Sequence, residues 1–467
     1  MAILNEIVGT INDALYSYIL IILLVLGGLF FSFRTKFVQF RLFRDQIRCV
    51  SEKTDKNGVS SFQALMVSTA SRVGTGNIIG VSTALCLGGF GSVFWMWLIA
   101  LLGAASAFIE STLAQIYKRK GQNGSYGGPA YYIETALKNR PLAIIFSILL
   151  ILTYGVGFNM LASYNLQSTF SSYSFYNAEL TPWIIGLILA LLVGFCLFGS
   201  GKRIIKATSL LVPFMGIAYI LVALIITVLN ITALPSIFAR IFTEAFDFAA
   251  IFGGFAGSCI MYGTKRGVFS NEAGVGSAPN ASASADVSHP VKQGLVQVLS
   301  VFIDTLLVCS ATAFMCMCSG LEPTADLSGA PYIQAAMSST LGAFGPIFIT
   351  VSMILFAFTT LLGNLFYVDK TWFFIFKKEP SKKFMYIYYI IASLLIFVGA
   401  GLSADLLWGI ADITMGGMTL INIPVMFILS KYAIAALNDY TKQKKEGKDP
   451  KFIASDIKLP HKTDYWK

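Results

Sequence analysis

The stretch Gly74–Gly89 reads GTGNIIGVSTALCLGG and lies within a segment apolar enough to cross a membrane. Four of its first seven residues are glycine or asparagine, and glycine costs about 1 kcal/mol relative to alanine inside a helix. Such residues weaken a helix that must satisfy all of its backbone hydrogen bonds in lipid. The stretch therefore predicts a membrane helix that is interrupted near its middle.

The composition is that of an all-α polytopic membrane protein. Of the 467 residues, 56% are hydrophobic and only 12% are charged, about half the charged fraction of a soluble protein. Apolar runs of about 18 residues or more recur along the chain, whereas a membrane β-barrel would show short alternating segments. The chain has two histidines, which argues against a haem or zinc enzyme, and most of its seven cysteines lie inside apolar runs, where we expect them to be buried. We expect no cofactor.

The apolar runs predict eleven transmembrane spans, of which the first is retained in the protein because no charged region precedes it. Residues 35–56 are too charged to span and resemble a helix lying on a membrane surface. The predicted spans are 13–33, 61–87, 91–117, 141–165, 182–200, 204–230, 247–272, 291–318, 345–367, 384–401 and 405–430.

Lysine and arginine are distributed unequally between the two ends of these spans. Nearly all of the 34 basic residues fall in segments on one side, notably 34–56, 118–140, 368–383 and 431–467. This bias predicts an amino terminus outside and a carboxyl terminus in the cytoplasm of a cell (inner) membrane protein. It also explains the net charge of +10 without a nucleic-acid partner. The predicted units are an extra helix (1–34), an amphipathic linker (35–60), two five-helix repeats (61–230 and 247–430) and a basic tail (431–467).

A second glycine cluster lies in the seventh predicted span, which reads FGGFAGSCIMYGTKRGVFSNEAG. Gly253, Gly254, Phe255 and Gly257 predict an interruption there, five spans after the first. Ten spans thus divide into two inverted halves, each opening with a broken helix. Unwound backbone offers carbonyls to a cation and helix amino termini to a carboxylate, so an amino acid and Na⁺ together suit such a site. The glycines could instead only permit close helix packing.

Hydroxyl and ionisable residues within the spans are further candidates. Thr359 and Thr360 are adjacent at mid-span and could offer oxygens to a small cation, or could bond back to the preceding turn of their helix. Arg72 and Asp304 lie within spans, where a charge costs at least about 2.5 kcal/mol unless it is paired. We expect these two residues to form an ion pair, in either a coupling or a purely structural role. Glu110, Lys265, Arg266 and Glu272 are expected nearer the cytoplasmic ends.

Four longer motifs stand out in the sequence: GTGNIIGVSTALCLGGFGSVFWMW (74–97), GGPAYYI (127–133), RGVFSNEAGVGSAP (266–279) and HPVKQG (289–294). They resemble the alanine or glycine:cation symporter family and match it in order from about residue 60 to residue 430. The resemblance implies the inverted five-plus-five fold of the leucine transporter and uptake of small neutral amino acids with Na⁺ or H⁺.

The resemblance assigns roles to individual residues. It implies a sodium site built from the backbone of Ala70 and Val73, the carbonyl of Phe356 and the hydroxyls of Thr359 and Thr360. It also places Arg72, Asn77 and Asp304 near the superfamily's second sodium site, where a guanidinium could replace the ion and leave one coupling Na⁺ per cycle. The implied substrate contacts are Gly74, Thr75, Gly76, Asn77, Gly253, Gly254, Phe255, Gly257, Thr360 and Asn364.

Asn364 departs from the family pattern, in which many members carry tryptophan at this position. Thr360 and Asn364 are four residues apart on one helical face, so both are expected to face the binding cavity. An amide in place of an indole leaves room for a larger side chain such as that of glutamine. The sequence thus implies uptake of alanine or glycine, with glutamine as the alternative substrate and H⁺ as the alternative coupling ion.

Three other classes of protein fit the sequence less well. An intramembrane enzyme would need a nucleophile, a metal-binding motif or a facing carboxylate pair, and no HExxH or GxSxG motif occurs. Channels usually form their pore from repeated subunits. A receptor-like amino-acid sensor on a transporter fold would bind its ligand without accumulating it. The expected partners are therefore a small neutral amino acid, sodium and the lipid bilayer.

Overall fold

The computed structural model describes residues 8–12, 14–52, 58–121, 124–248, 251, 254, 258–457, 459 and 463–466. The chain is built almost entirely from helices. Their bounds are Leu20–Arg34 (α1), Val38–Arg41 (α2), Phe43–Val50 (α3), Ser61–Arg72 (α4), Val81–Gly88 (α5), Gly91–Ile116 (α6), Pro129–Ala136 (α7), Arg140–Leu150 (α8), Phe158–Ser168 (α9), Thr181–Leu197 (α10), Ser200–Leu229 (α11), Leu234–Ala245 (α12), Cys259–Asn271 (α13), Pro279–Ser282 (α14), Pro290–Val301 (α15), Ser310–Met317 (α16), Ala330–Leu341 (α17), Phe344–Phe376 (α18), Lys382–Gly399 (α19) and Ala404–Lys445 (α20).

Four π-helical segments extend these helices: Leu15–Ile19, Gly76–Gly80, Ile151–Gly157 and Phe302–Cys309. A two-stranded antiparallel hairpin, Arg119–Gly121 (β1) and Gly124–Tyr126 (β2), pairs Arg119 with Tyr126. Short 3₁₀ helices occupy Thr169–Ser172, Ile231–Ala233, Ala325–Leu327 and Ala454–Ile457.

Seven helical segments among the described residues are long and apolar enough to span a membrane. Three shorter apolar helices, Leu20–Arg34, Gly76–Gly88 and Thr181–Leu197, coincide with other predicted spans. The spans predicted at 61–87 and 247–272 are not continuous helices, because the first is divided after Arg72 and α13 begins only at Cys259. The helical membrane architecture is therefore confirmed, and the count of eleven spans stays a prediction.

Helix α6 lies at the centre and packs along α13 and α15. Close approach depends on glycine, since a Cβ on Gly294 of α15 would lie 2.2 Å from the Thr112 hydroxyl oxygen of α6. Similarly, a Cβ on Gly263 of α13 would lie 2.5 Å from the carbonyl oxygen of Ser92. The first turns of α13 and α6 therefore lie beside each other at the same end of the bundle.

Two sides of the bundle can be defined from these contacts. The α5 side holds the end of α5 and the start of α6, where Glu244 Oε2 accepts a hydrogen bond from Phe90 N at 2.5 Å. The α4 side holds the entry to α4, where Val59 forms an isolated bridge with Ala285.

The carboxyl-terminal region packs on the α4 side. Helix α20 continues to Lys445, and Trp466 Nε1 donates a hydrogen bond to the carbonyl of Gln115 at 2.7 Å. Tyr465 donates to Asp286 Oδ1 at 3.1 Å, and its ring lies 3.9 Å from the amine of the buried Lys118. The basic tail predicted from the sequence thus ends in a docked segment.

Candidate functional site

The first helix interruption lies at Val73–Thr75, between α4 and the π-helical segment that begins at Gly76. Val73 leaves the helical region with ψ 86°, and the backbone N–H of Gly74 donates to Asn77 Oδ1 at 2.7 Å. The side chain of Asn77 thereby replaces a helical acceptor that the interruption removes. This is the position at which the GTGN sequence predicted the break.

The second interruption lies at Glu272–Ala278, after α13 rather than before it. Glu272, Gly274 and Gly276 all adopt positive φ, at 53°, 85° and 93°, which accounts for glycine at the last two positions. The sequence analysis did not predict this second interruption; it placed a break at the glycines before α13, where Gly254 and Ser258 are not helical. Gly254 is exposed and has open space around it, while Gly253, Phe255 and Gly257 lie outside the described residues.

The first interruption lies beside α13 and borders a small cavity. A Cβ on Gly76 would lie 2.8 Å from the Phe269 ring and 3.9 Å from the Cα of Ser270. The cavity has a volume of about 10 Å³, and its walls combine backbone from the first break with two aromatic rings. The lining residues are Ser71, Arg72, Gly74, Thr75, Gly76, Phe158, Phe269 and Thr360.

Aromatic rings close the cavity toward the α5 side. The ring centroids of Phe158 and Phe269 are 4.4 Å apart, and those of Phe269 and Trp408 are 4.7 Å apart. The guanidinium of Arg266 lies 3.8 Å from the centroid of the Trp408 indole ring. These closely packed, tilted rings leave little room for a large side chain.

The two adjacent threonines of α18 differ in orientation. Thr359 Oγ1 bonds back to the carbonyl of Leu355 at 2.9 Å, which is the alternative weighed from the sequence. Thr360 Oγ1 is buried without a hydrogen-bond partner and lies 2.0 Å from the position that a Cβ on Gly74 would occupy. Thr360 therefore presents an oxygen to the interruption of α4. The backbone of Ala70, Val73 and Phe356, the other predicted ligands, is buried nearby.

Arg72 and Asp304 do not form the predicted ion pair, and this expectation was wrong. Among the described residues, no carboxylate oxygen lies within 4.0 Å of the Arg72 guanidinium, which donates to Gln297 Oε1 at 3.0 Å. Asp304 instead accepts from Asn77 Nδ2 and Thr305 Oγ1, both at 2.7 Å. The Asp304 carboxylate is therefore bound by neutral donors and not by the guanidinium.

Asn364 does not line the cavity, contrary to the expectation from helical spacing. Its side chain is fully buried, and its Nδ2 donates to Asn159 Oδ1 at 3.0 Å. Its Oδ1 accepts from Ser71 Oγ at 2.6 Å. These contacts with other helices, which the sequence does not reveal, direct the amide of Asn364 away from the cavity.

A family model described as the sodium:alanine symporter family matches residues 1–454. The chain belongs to the sodium:alanine symporter family. The symporter is 44% identical to the probable sodium/glutamine symporter GlnT of Bacillus subtilis, over 99% of this chain and 96% of the relative. It is 42% identical to the amino-acid carrier protein AlsT of Bacillus subtilis, over 99% of this chain and 97% of the relative. It is 35% identical to the sodium/alanine symporter AgcS of Methanococcus maripaludis, over 94% of this chain and 98% of the relative.

The solved structure of MhsT in complex with L-phenylalanine has the same fold as the symporter. The TM-score is 0.53 at 14% sequence identity, and the match covers 86% of this chain and 92% of that chain. The fold is therefore that of the leucine transporter, as the sequence motifs implied. Family membership makes the protein a sodium-coupled amino-acid symporter rather than an enzyme, with sodium as its coupling ion.

Two fully buried acidic residues of the symporter lie beside the second interruption. Glu272 accepts hydrogen bonds from Ser71 at 2.8 Å and Ser277 at 2.6 Å. Glu110 accepts from Asn422 Nδ2 at 2.9 Å and from the backbone N–H of Gly274 at 3.4 Å. Both carboxylates therefore lie where the chain unwinds, and their place near the cytoplasmic end stays a prediction. The glycines of the motif NEAGVGSAP were the signal for this unwinding.

Lys265 and Arg266 form a charged cluster with the fully buried Asp412 (the Asp412 cluster). This cluster lies on the α5 side, with distances of 3.0 Å for Nζ–Oδ2 and 3.6 Å for Nη1–Oδ1. Tyr16, which precedes α1, donates to the Asp412 carbonyl at 3.2 Å. The segment before α1 therefore borders the Asp412 cluster, and the side of the membrane that the cluster faces stays a prediction.

Proposed function

We propose that this symporter transports a small neutral amino acid, alanine or glycine, into the cell by alternating access. The observation that carries this proposal is the small cavity at the interruption of α4. The backbone at residues 74–76, which lines the cavity, suits the charged groups of an amino acid, since free helix-end amides bind carboxylates. Phe158 and Phe269 restrict the space for its side chain.

The coupling sodium is proposed to bind beside Thr360. Its hydroxyl oxygen and the carbonyls of Ala70, Val73 and Phe356 are the oxygens that this site can offer to a hard cation. Thr359 joins this set only if its bond to Leu355 is released. Gly74, Thr75, Gly76 and Asn77 are the proposed substrate contacts on the first interruption.

The helices around the cavity fit two inverted five-helix repeats. The first would run over 61–230 and the second over 247–430, and α4 and α13 would be the broken helices that open them. The distribution of basic residues supports a multi-pass protein of the cell membrane whose α4 side faces the cytoplasm. In this orientation the aromatic rings and the Asp412 cluster separate the cavity from the outside.

Glutamine is the second candidate substrate. It is favoured by the 44% identity to a relative named as a probable sodium/glutamine symporter. It is no longer favoured by Asn364, whose amide is occupied by Ser71 and Asn159.

Uptake into proteoliposomes tests the substrate. Labelled alanine, glycine and glutamine are supplied with an inward Na⁺ gradient, and a choline gradient serves as the control. We expect alanine or glycine to accumulate only with Na⁺, and excess unlabelled glutamine to compete weakly. Accumulation of glutamine with little alanine would establish the second candidate, and binding without accumulation would indicate a sensor.

A further inference from the structure

The centre of the symporter contains more buried acid than buried base. Glu110, Glu272 and Asp304 are fully buried, and Arg72 is the basic side chain that faces them. None of these carboxylates lies within 4.0 Å of the guanidinium in the described part of the chain. If all four groups were ionised, the set would carry two uncompensated negative charges, which a low-dielectric interior strongly disfavours. These four side chains therefore require a bound proton or a bound cation to reduce their excess negative charge.

The partners of two of these carboxylates fit the ionised form. Asp304 accepts from the Asn77 amide at 2.7 Å as well as from the Thr305 and Ser270 hydroxyls. Glu110 accepts from the Asn422 amide at 2.9 Å and the Gly274 backbone N–H at 3.4 Å. Amide N–H groups only donate, so they stabilise a carboxylate and leave a protonated carboxyl with a mismatched neighbour.

The surroundings of Glu272 are different, because in the described part of the chain its carboxylate has hydroxyl partners and no amide donor. Ser71 lies 2.8 Å from Oε1, and Ser277 lies 2.6 Å from Oε2. A hydroxyl can donate to a carboxylate or accept from a carboxyl group by rotating its hydrogen. Ser71 also lies 2.6 Å from Asn364 Oδ1, so its one hydrogen is shared between two acceptor oxygens. A proton on Glu272 supplies the second hydrogen.

Two buried tyrosine hydroxyls are further evidence that the hydrogen bonds around Glu272 can rearrange. The hydroxyls of Tyr154 and Tyr367 are fully buried beside Ser277 and Ser71, the serine partners of Glu272, but neither makes a hydrogen bond of good geometry. Both tyrosines also interact electrostatically with Glu272. Unsatisfied buried hydroxyls are rare and costly. These two can donate to Glu272 or its serine partners when the carboxyl group loses its proton.

The glutamate lies close to the proposed sodium site. Its partner Ser71 follows Ala70 in α4, and a Cβ on Gly363 of α18 would lie 2.6 Å from the backbone nitrogen of Ser71. Asn364, which accepts from Ser71, is one helical turn from Thr360. A cation beside Thr360 therefore favours the ionised form of Glu272.

We propose that Glu272 is a proton-binding site whose proton competes with the coupling Na⁺. Binding of Na⁺ releases the proton, and the hydroxyls of Ser71 and Ser277 turn to donate to the carboxylate that forms. This inference rests on the proposed sodium site, and its experiment separates the two. The other charged or titratable groups that face Glu272 are Arg72, Asp304, Glu110, Tyr154 and Tyr367.

The test is the Na⁺ concentration that half-saturates alanine uptake, measured between about pH 6 and pH 9. Competition predicts that this concentration rises as the pH falls, by up to about tenfold per pH unit where Glu272 is protonated. Glu272→Gln should remove the pH dependence. Asp369→Asn, which changes another buried carboxyl bonded to Tyr389 away from the cavity, should keep it. Pronounced pH dependence that survives in Glu272→Gln would overturn the assignment.

A second measurement covers the case in which Glu272→Gln does not fold. Na⁺ is added to the purified wild-type symporter in weakly buffered detergent, and a pH-indicator dye reports released protons. Release that saturates with Na⁺, and that choline does not elicit, supports the proposal. Wild-type uptake that needs Na⁺ but shows neither release nor pH dependence would refute the proton site while leaving sodium coupling intact. Absence of Na⁺-driven uptake would instead refute the proposed function.

Discussion

Thr360 and Gly74 are complementary: the Thr360 hydroxyl oxygen lies 2.0 Å from the position that a Cβ on Gly74 would occupy. No side chain other than hydrogen fits there without displacing α18 from α4. The glycine thus allows a hydroxyl of one helix to reach the unwound backbone of another. This contact joins the two helices that the proposed sodium site requires.

Gly74→Ala should abolish transport, because the added methyl group must push Thr360 away from the interruption. We expect at least about a tenfold loss of Na⁺-driven uptake, equivalent to about 1.4 kcal/mol. Gly216→Ala is the matched control, since Gly216 lies in α11 with nothing near its Cβ position. There, alanine should be neutral or stabilising by up to about 1 kcal/mol. Equal uptake by both variants would contradict the role given to the Gly74 contact.

Asp304→Ala should destabilise the symporter, although Arg72 is not its direct partner. The change removes the carboxylate that accepts from the buried Asn77 amide and Ser270 hydroxyl, and each lost bond to a charged group costs about 1.5–3 kcal/mol. Thermal unfolding of the purified protein measures this loss. Asp326→Ala, at an exposed residue, should have little effect. An unchanged unfolding temperature for Asp304→Ala would show that the hydrogen-bond network contributes nothing.

Asn364→Leu should leave the ratio of alanine to glutamine uptake unchanged. The substitution removes an amide that binds Ser71 and Asn159, so we expect a loss of stability of about 1–3 kcal/mol without a new contact to substrate. Asn364→Trp should be far more disruptive, because a fully buried position has no room for an indole. A shift of the uptake ratio in the leucine variant would restore Asn364 as a specificity residue.

Docking of the carboxyl-terminal tail should depend on pH through Lys118. Burial lowers the pKa of this amine from 10.5 to about 7, partly opposed by Asp286. Because undocking exposes Lys118 and restores its ordinary pKa, the undocked form binds more protons between about pH 7 and pH 10.5. Docking should therefore strengthen as the pH rises through this range. Limited proteolysis should cut the tail more slowly at high pH, and Trp466→Ala should be cut rapidly throughout.

The sequence predicted the first interruption and failed to locate the second, for a physical reason. Glycine and asparagine at 74–77 are conspicuous in an apolar span, so the break could be found from composition alone. Phe252–Gly257 showed the same signal, but the chain unwinds at Glu272–Ala278, where Gly274 and Gly276 adopt positive φ. Spacing alone does not reveal which glycines need that conformation.

The candidate site shows the same limit. Thr360 could be selected from the sequence as a candidate sodium ligand. The sequence left open whether Thr359 is also a ligand or bonds back to its own helix, and the structure shows the bond to Leu355. The direction of Asn364 depends on Asn159, which is more than two hundred residues away in sequence. The separation of Arg72 from Asp304 likewise reflects neighbours on other helices. Helical periodicity identifies a face, and tertiary contacts decide where its side chains bind.

The most direct test of the sodium site is the Na⁺ dependence of alanine uptake in Thr360→Val compared with Thr359→Val. Valine keeps the shape of threonine and removes its oxygen. We predict that Thr360→Val raises the half-saturating Na⁺ concentration about tenfold, the equivalent of about 1.4 kcal/mol, whereas Thr359→Val changes it much less. If Thr360→Val retained the wild-type Na⁺ dependence, the ion would not bind at the interruption of α4.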